Sequence, residues 1–206
     1  MVTAVTATRQ WFSQGKGTST PWGRADVSTK LTRGVVWYST PGHGGMSVTV
    51  AWARAYLTLQ AQYLAMFWGG KLWYEEDCKC SLVFYEHPEL YKQLIVDQDP
   101  SVPFAESVRT WDPEYFDPEF IAKCKTAGNI PDLSSLQPKD TIQLSGSNRT
   151  YMITQDWITR GKQRHRRMVE NKRGTWGNNY RLTNAETQGR LQSITREGVV
   201  IWTRPQ

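Results

Sequence analysis

The stretch from Thr40 to Cys80, TPGHGGMSVTVAWARAYLTLQAQYLAMFWGGKLWYEEDCKC, constrains the fold more than any other part of this chain. It opens on a histidine set among Pro41, Gly42, Gly44 and Gly45. So many glycines widen the allowed φ and ψ and let backbone approach closely. They imply a tight, exposed loop that presents His43. From Ser47 onward, Trp52, Tyr56, Leu59, Tyr63, Met66 and Phe67 recur at three- and four-residue steps, the period of one helix face. The spacing predicts one helix over residues 48–67, capped by Ser47 or Thr49 and stopped at Gly69-Gly70. Trp52, Tyr56, Leu59 and Tyr63 are expected to be mostly buried. A helix of about 20 residues is long enough for a membrane. Arg54, Gln60 and Gln62 are expensive in hydrocarbon, however, so a buried amphipathic helix and no membrane are expected.

The stretch closes on three consecutive acids, Glu75, Glu76 and Asp77, followed by Cys78. Negative charge is favoured at the start of a helix, and Cys78, Leu82 and Tyr85 continue at helical spacing until Pro88. A second helix is therefore expected after the acids, with Cys78 as a small buried hydrophobe.

Three short runs occur in order: TPWG (Thr20 to Gly23), WYSTPGHGG (Trp37 to Gly45) and WYEEDC (Trp73 to Cys78). With them the chain resembles an uncharacterised domain family of bacteriophages, plasmids and other mobile elements. That family's pattern is a TPWG-type start, an ST-x-[GS]-HGG loop and a WxEEDC segment. The resemblance covers about residues 20–90 and carries no assigned activity. It implies an accessory role, in host takeover or counter-defence, and hence the host cytoplasm. The aromatic central segment and everything after residue 90 depart from the family pattern.

The remaining sequence divides by composition. Residues 1–19 are polar and rich in Gly, Ser and Thr, and predict a loosely ordered arm with no signal peptide. Trp22 to Ser39 reads as a β-hairpin turning near Arg33-Gly34. Residues 75–120 hold twelve acids against three bases, and the proline-rich 99–138 segment is expected to be a connector. Short helices are placed at Pro88–Val96 and Pro118–Ala127, the latter starting at an Asp-Pro step. Residues 151–206 hold eleven bases against four acids, and 139–206 reads as a basic β-rich subdomain. Its densest run, 160–167, is expected to be a loop or helix. The whole is an α+β protein: an N-terminal hairpin and two-helix domain over 20–98, followed by the connector and the subdomain. Cys78, Cys80 and Cys124 are too few for a disulfide framework and suggest a reducing compartment.

Two chemistries can be built from these residues. His43 and Cys78 could serve as base and nucleophile, with Glu75 or Glu76 as a general acid or base, giving a small hydrolase or transferase. The acids, however, would raise the thiol pKa. A metal held by His43, Cys78, Cys80 and His87 meets the objection that C-x-C is not the common zinc spacing, so no metal and no cofactor are predicted. The simpler alternative has His43 hydrogen-bonded to the acids, clasping its loop. The second chemistry is binding. Arg160, Lys162, Arg164, Arg166 and Arg167, with Trp157 and Trp176 nearby, have the composition used for phosphate contacts plus base stacking. A nucleic acid or nucleotide and a host protein are both open as partners, as is a homo-oligomer. Binding of a host component is the favoured expectation, with catalysis the alternative.

Overall fold

The computed structural model describes residues 17–94, 104–131, 136–144, 150–154, 158–160, 163–172, 175–183 and 191–205, the strands within 158–183 by their backbone alone. Most of the expected arm, together with Trp157 and Lys162, lies outside the described residues. The architecture is α+β, as expected. A small ribbon, β1 (Ser19–Thr20) and β2 (Gly23–Arg24), leads into a five-stranded antiparallel sheet. Its strands are β3 (Val27–Thr32), β4 (Val35–Ser39), β5 (Gly44–Thr49), β6 (Met66–Trp68) and β7 (Lys71–Glu75), in the order β3-β4-β5-β7-β6. The β3–β4 hairpin turns at Arg33-Gly34, as the sequence predicts. Gly34 is required there: its φ is +97°, and a Cβ would sit 2.8 Å from Thr49 Oγ1.

The single helix predicted over 48–67 is replaced by four shorter elements. Residues up to Thr49 belong to β5, the central strand, so Ser47 pairs in the sheet and caps nothing. Thr49 does cap α1 (Val50–Tyr56), accepting from the Trp52 N–H. A second helix, α2 (Leu59–Leu64), follows after a break at Leu57-Thr58. The break has a cause outside the segment. Glu86 accepts hydrogen bonds from both the backbone N–H and the hydroxyl of Thr58, and Thr58 in turn caps α2. Tyr56 then faces solvent at 60% exposure, against expectation, while Tyr63 is buried and Trp52 and Leu59 pack partly buried on the core. Gly69 and Gly70 do not end a helix. With φ of +60° and +78° they form the two-residue turn between β6 and β7.

Helices α3 (Cys80–Glu86), α4 (Pro88–Leu94), α5 (Phe104–Trp111) and α6 (Pro118–Ala127) follow, with a 3-10 turn at Pro113–Phe116. α3 buries Leu82, Val83 and Phe84. α4 and α6 begin at the prolines the sequence marks. A second antiparallel sheet comprises β8 (Thr141–Leu144), β9 (Thr150–Ile153), β10 (Ile158–Arg160), β11 (Gln163–Lys172), β12 (Thr175–Thr183), β13 (Leu191–Arg196) and β14 (Val199–Thr203). The basic run therefore lies largely on strands and not on a loop or helix. Asp140, buried, accepts a bidentate pair from Arg196 at 2.8 and 2.9 Å and ties the entry of β8 to the end of β13.

One continuous core runs from Leu31 in β3 to Trp202 in β14. One link between the two sheets is the Tyr63 hydroxyl. Tyr63 donates to the carbonyl of Gly128 at 2.7 Å and accepts from Trp202 Nε1 at 3.0 Å, and the two rings stack 6.5 Å apart. Tyr63→Phe would leave a buried indole N–H and a carbonyl without partners, which costs about 1–3 kcal/mol. We expect the denaturation midpoint to fall accordingly, and amide exchange in β13 and β14 to quicken. An unchanged midpoint would mean that the hydroxyl does not couple the two sheets.

Candidate functional site

The three sequence runs meet in space. Trp22 of TPWG lies edge-on to Trp73 of WYEEDC at 5.7 Å, and Tyr38 packs on the same indole at 5.4 Å. Together with Ala25 they form a small second cluster beside the main core. The glycines of the HGG run explain how this closes. A Cβ on Gly45 would overlap the Trp22 ring and lie 2.5 Å from the Tyr74 carbonyl. A Cβ on Gly44 would overlap the Glu76 carboxylate. The glycines thus serve the close approach of neighbours as well as the loop.

The loop itself is pinned at both ends by Thr40. Its hydroxyl donates to the His43 carbonyl at 2.6 Å and accepts the His43 N–H at 3.1 Å, and its own N–H reaches the same carbonyl at 2.8 Å. His43 is exposed, as predicted. Its Nδ1 lies 3.7 Å from Glu75 Oε1, an ion-pair separation longer than the hydrogen bond expected from the sequence. Glu75 ends β7, opposite Gly45 in register. Its other oxygen, Oε2, accepts from the Asp77 N–H at 3.0 Å and from the Cys78 thiol at 3.1 Å.

This arrangement places Glu75 between His43 and Cys78. Partial burial and then the neighbouring Glu75 carboxylate push the Cys78 thiol up to about 11. A nucleophile needs its thiolate, and here the thiol is held protonated. Cys80, buried, donates to the Glu76 carbonyl at 2.8 Å, and burial raises its thiol further. His87 is engaged with the Tyr56 carbonyl and Glu89. The Cys–His quartet considered for a metal is therefore not assembled. What assembles instead is His43, Glu75 and Asp77, whose ligand atoms all lie within 4.8 Å of one another. Lys79, between the two cysteines, pairs with Asp112, a fully buried carboxylate that directly follows α5. Burial raises the Asp112 pKa and the Lys79 pairing opposes it.

Beside the acids opens a cavity of about 400 Å³. Trp37, Phe84, Tyr91 and Phe104 form its walls, and Glu76, Asp77 and Cys78 lie along its lining. The wall is a ring network: Phe84 contacts Trp37, Tyr91 and Phe104 at 6.3, 5.2 and 5.5 Å. Sequence reasoning missed these aromatics. The only signal was the overall abundance of Trp, Tyr and Phe. α5, which brings Phe104, sits between prolines that suggested irregular chain.

The basic residues lie elsewhere. Arg160 is on β10, Arg164, Arg166 and Arg167 on β11 and Trp176 on β12. Among the described residues no helix is long and apolar enough to cross a membrane.

The chain belongs to the family of a domain of unknown function, DUF7007, whose pattern matches residues 15–131. The match takes in the first sheet, the six described helices and the site, and ends before β8. No curated protein matches the chain, and no solved structure matches it.

The Glu75 clamp on the thiol is testable through pH. Because the thiolate fraction grows only as pH approaches about 11, alkylation of Cys78 near neutral pH should be slow. Glu75→Gln removes the charge and lowers the thiol pKa. Alkylation of the Cys78 peptide, followed by mass spectrometry, should then rise about tenfold for each unit of fall. Equal rates in both proteins would show that Glu75 does not hold the thiol protonated.

Proposed function

We propose that this protein acts by binding and not by catalysis. In this reading it is an accessory protein of a bacteriophage or plasmid, working in the host cytoplasm in takeover or counter-defence. It would engage a host component through the aromatic cavity. The observation that carries the reading is that cavity, built against the shared sequence runs. Its size falls within the range of about 300–1,000 Å³ common for ligand pockets, and its apolar walls with few polar groups match their usual chemistry. Glu76 and Asp77 on its lining favour an occupant with an apolar body and a cationic or hydrogen-bond-donating end. The protonated Cys78 thiol supports binding over a His43–Cys78 hydrolase or transferase.

The experiment is co-purification with native mass spectrometry. Wild type taken gently from cells should carry an additional mass, either a small molecule or a host protein. Ser107→Phe, which fills the cavity from α5, should lose that mass with its melting curve unchanged. If wild type and Ser107→Phe carry the same species, the cavity is not the binding site.

A second reading is favoured by the sheet register. Arg167 on β11 stands opposite Arg181 on β12. Like charges directly opposite destabilise a strand pair, and an anionic partner would relieve this. Nucleic acid or a nucleotide would thus bind the basic strands. A variant with Arg160, Lys162, Arg164, Arg166 and Arg167 all changed to alanine should lose single-stranded DNA binding. Wild-type affinity should fall with salt at a log–log slope of about −0.7 per phosphate contact. Identical titrations of the two proteins would remove this reading.

A further inference from the structure

The donors around Glu75 adjoin the cavity at Asp77, which belongs to both. We infer that His43, Glu75 and Asp77 form a binding site for one divalent transition-metal ion. This goes beyond the binding reading above and does not depend on what enters the cavity.

Four observations carry it. First, one imidazole nitrogen and two carboxylates offer ligand atoms within 4.8 Å of one another. Bond lengths of about 2.0–2.2 Å to nitrogen and oxygen place tetrahedral or octahedral neighbours about 3–3.5 Å apart. The 3.7 Å between His43 Nδ1 and Glu75 Oε1 needs only a small inward shift to meet this. Second, Glu75 is oriented for it. Oε2 is occupied by the Asp77 N–H and the Cys78 thiol, so Oε1 is the oxygen left toward His43. Fixing a ligand through its second oxygen is how surrounding groups tune metal sites. Third, His43 rides on a loop closed three ways by Thr40, so its approach is set by backbone. Fourth, Glu75, Glu76 and Asp77 crowd three negative charges together, and among the described residues no lysine or arginine pairs with any of them. Like charges at close range are unfavourable, and a divalent cation neutralises them where a protonated imidazole does so only in part.

The donor set selects the metal. Imidazole suits zinc, iron and nickel, while carboxylates suit manganese and magnesium. A mixed set of one nitrogen and two oxygens points to zinc or manganese. Three protein ligands leave at least one coordination position free. Asp77 belongs both to the donor set and to the cavity lining. Cys78 holds Glu75 in place and is not itself a ligand.

The test uses the full chain stripped with a chelator and titrated with Zn²⁺ and with Mn²⁺ by calorimetry. We expect one saturable equivalent of at least one of these ions. His43→Gln and Asp77→Asn should each weaken binding by at least about tenfold. His87→Ala should leave it unchanged, which excludes the His87–Glu89 pair as the site. Co²⁺ in place of the native ion should give a visible spectrum without a thiolate charge-transfer band. His43 and Asp77 are exposed, so tryptophan fluorescence should report a folded protein for both variants. No saturable binding of either ion would overturn the inference. So would full binding by His43→Gln and Asp77→Asn, or a thiolate charge-transfer band in the Co²⁺ spectrum. Ser107→Phe should bind the ion normally, which separates failure of this site from failure of the cavity reading.

Discussion

The fold around the site depends on the absence of two side chains. Gly44 and Gly45 open the central strand of the first sheet, and each makes room for a group from another run: Glu76 over the first, Trp22 over the second. A methyl at either position would meet something already there. At Gly45 the obstruction includes a backbone carbonyl, which cannot swing aside as a carboxylate can. The TPWG run, the HGG run and the WYEEDC run are therefore one packing unit, although some thirty residues separate one from the next in places. Antiparallel pairing of β4, β5 and β7 brings the HGG and WYEEDC runs side by side.

Much of this was legible from residues alone. The β3–β4 hairpin, the exposed His43, the Thr49 cap and the proline starts of α4 and α6 all follow from local rules, because each is decided within a few residues. The break between α1 and α2 was not legible. It depends on Glu86, twenty-eight residues beyond Thr58, reaching back to hold its N–H and hydroxyl. The periodicity of Trp52, Tyr56, Leu59 and Tyr63 was real, but two short helices use it differently from one long one. Sheet membership also overrode it, since β5 consumes the segment up to Thr49. The candidate site was half legible. His43 and the acids stood out, whereas the cavity aromatics come from four separate elements and leave no pattern in sequence.

The site's electrostatics show one motif with divided duties. Of three consecutive acids, Glu75 orients the thiol and faces His43, Glu76 covers Gly44, and Asp77 reaches both the donor cluster and the cavity. The two cysteines that follow are likewise unlike: Cys78 half-buried against a carboxylate, Cys80 inside α3. Between them Lys79 points to Asp112, whose second oxygen finds no partner among the described residues. A buried pair of this kind costs desolvation, and its loss on one side only would cost more. It fixes the start of α3 relative to the end of α5, two of the three helices that line the cavity.

The Tyr63 hydroxyl has a consequence for the order of events during synthesis. Its donor, the Trp202 indole, lies 139 residues further along the chain. A nascent polypeptide that has emerged through α6 and its cap Gly128 already holds Tyr63, the Gly128 carbonyl and the whole first sheet. It still lacks the ring that covers them. Such an intermediate would expose a tyrosine face and the flank of α6 until β13 and β14 arrive. The last strands therefore close the protein like a clasp fastened after the fabric is cut, and the interval before closure is when a chaperone would find it open.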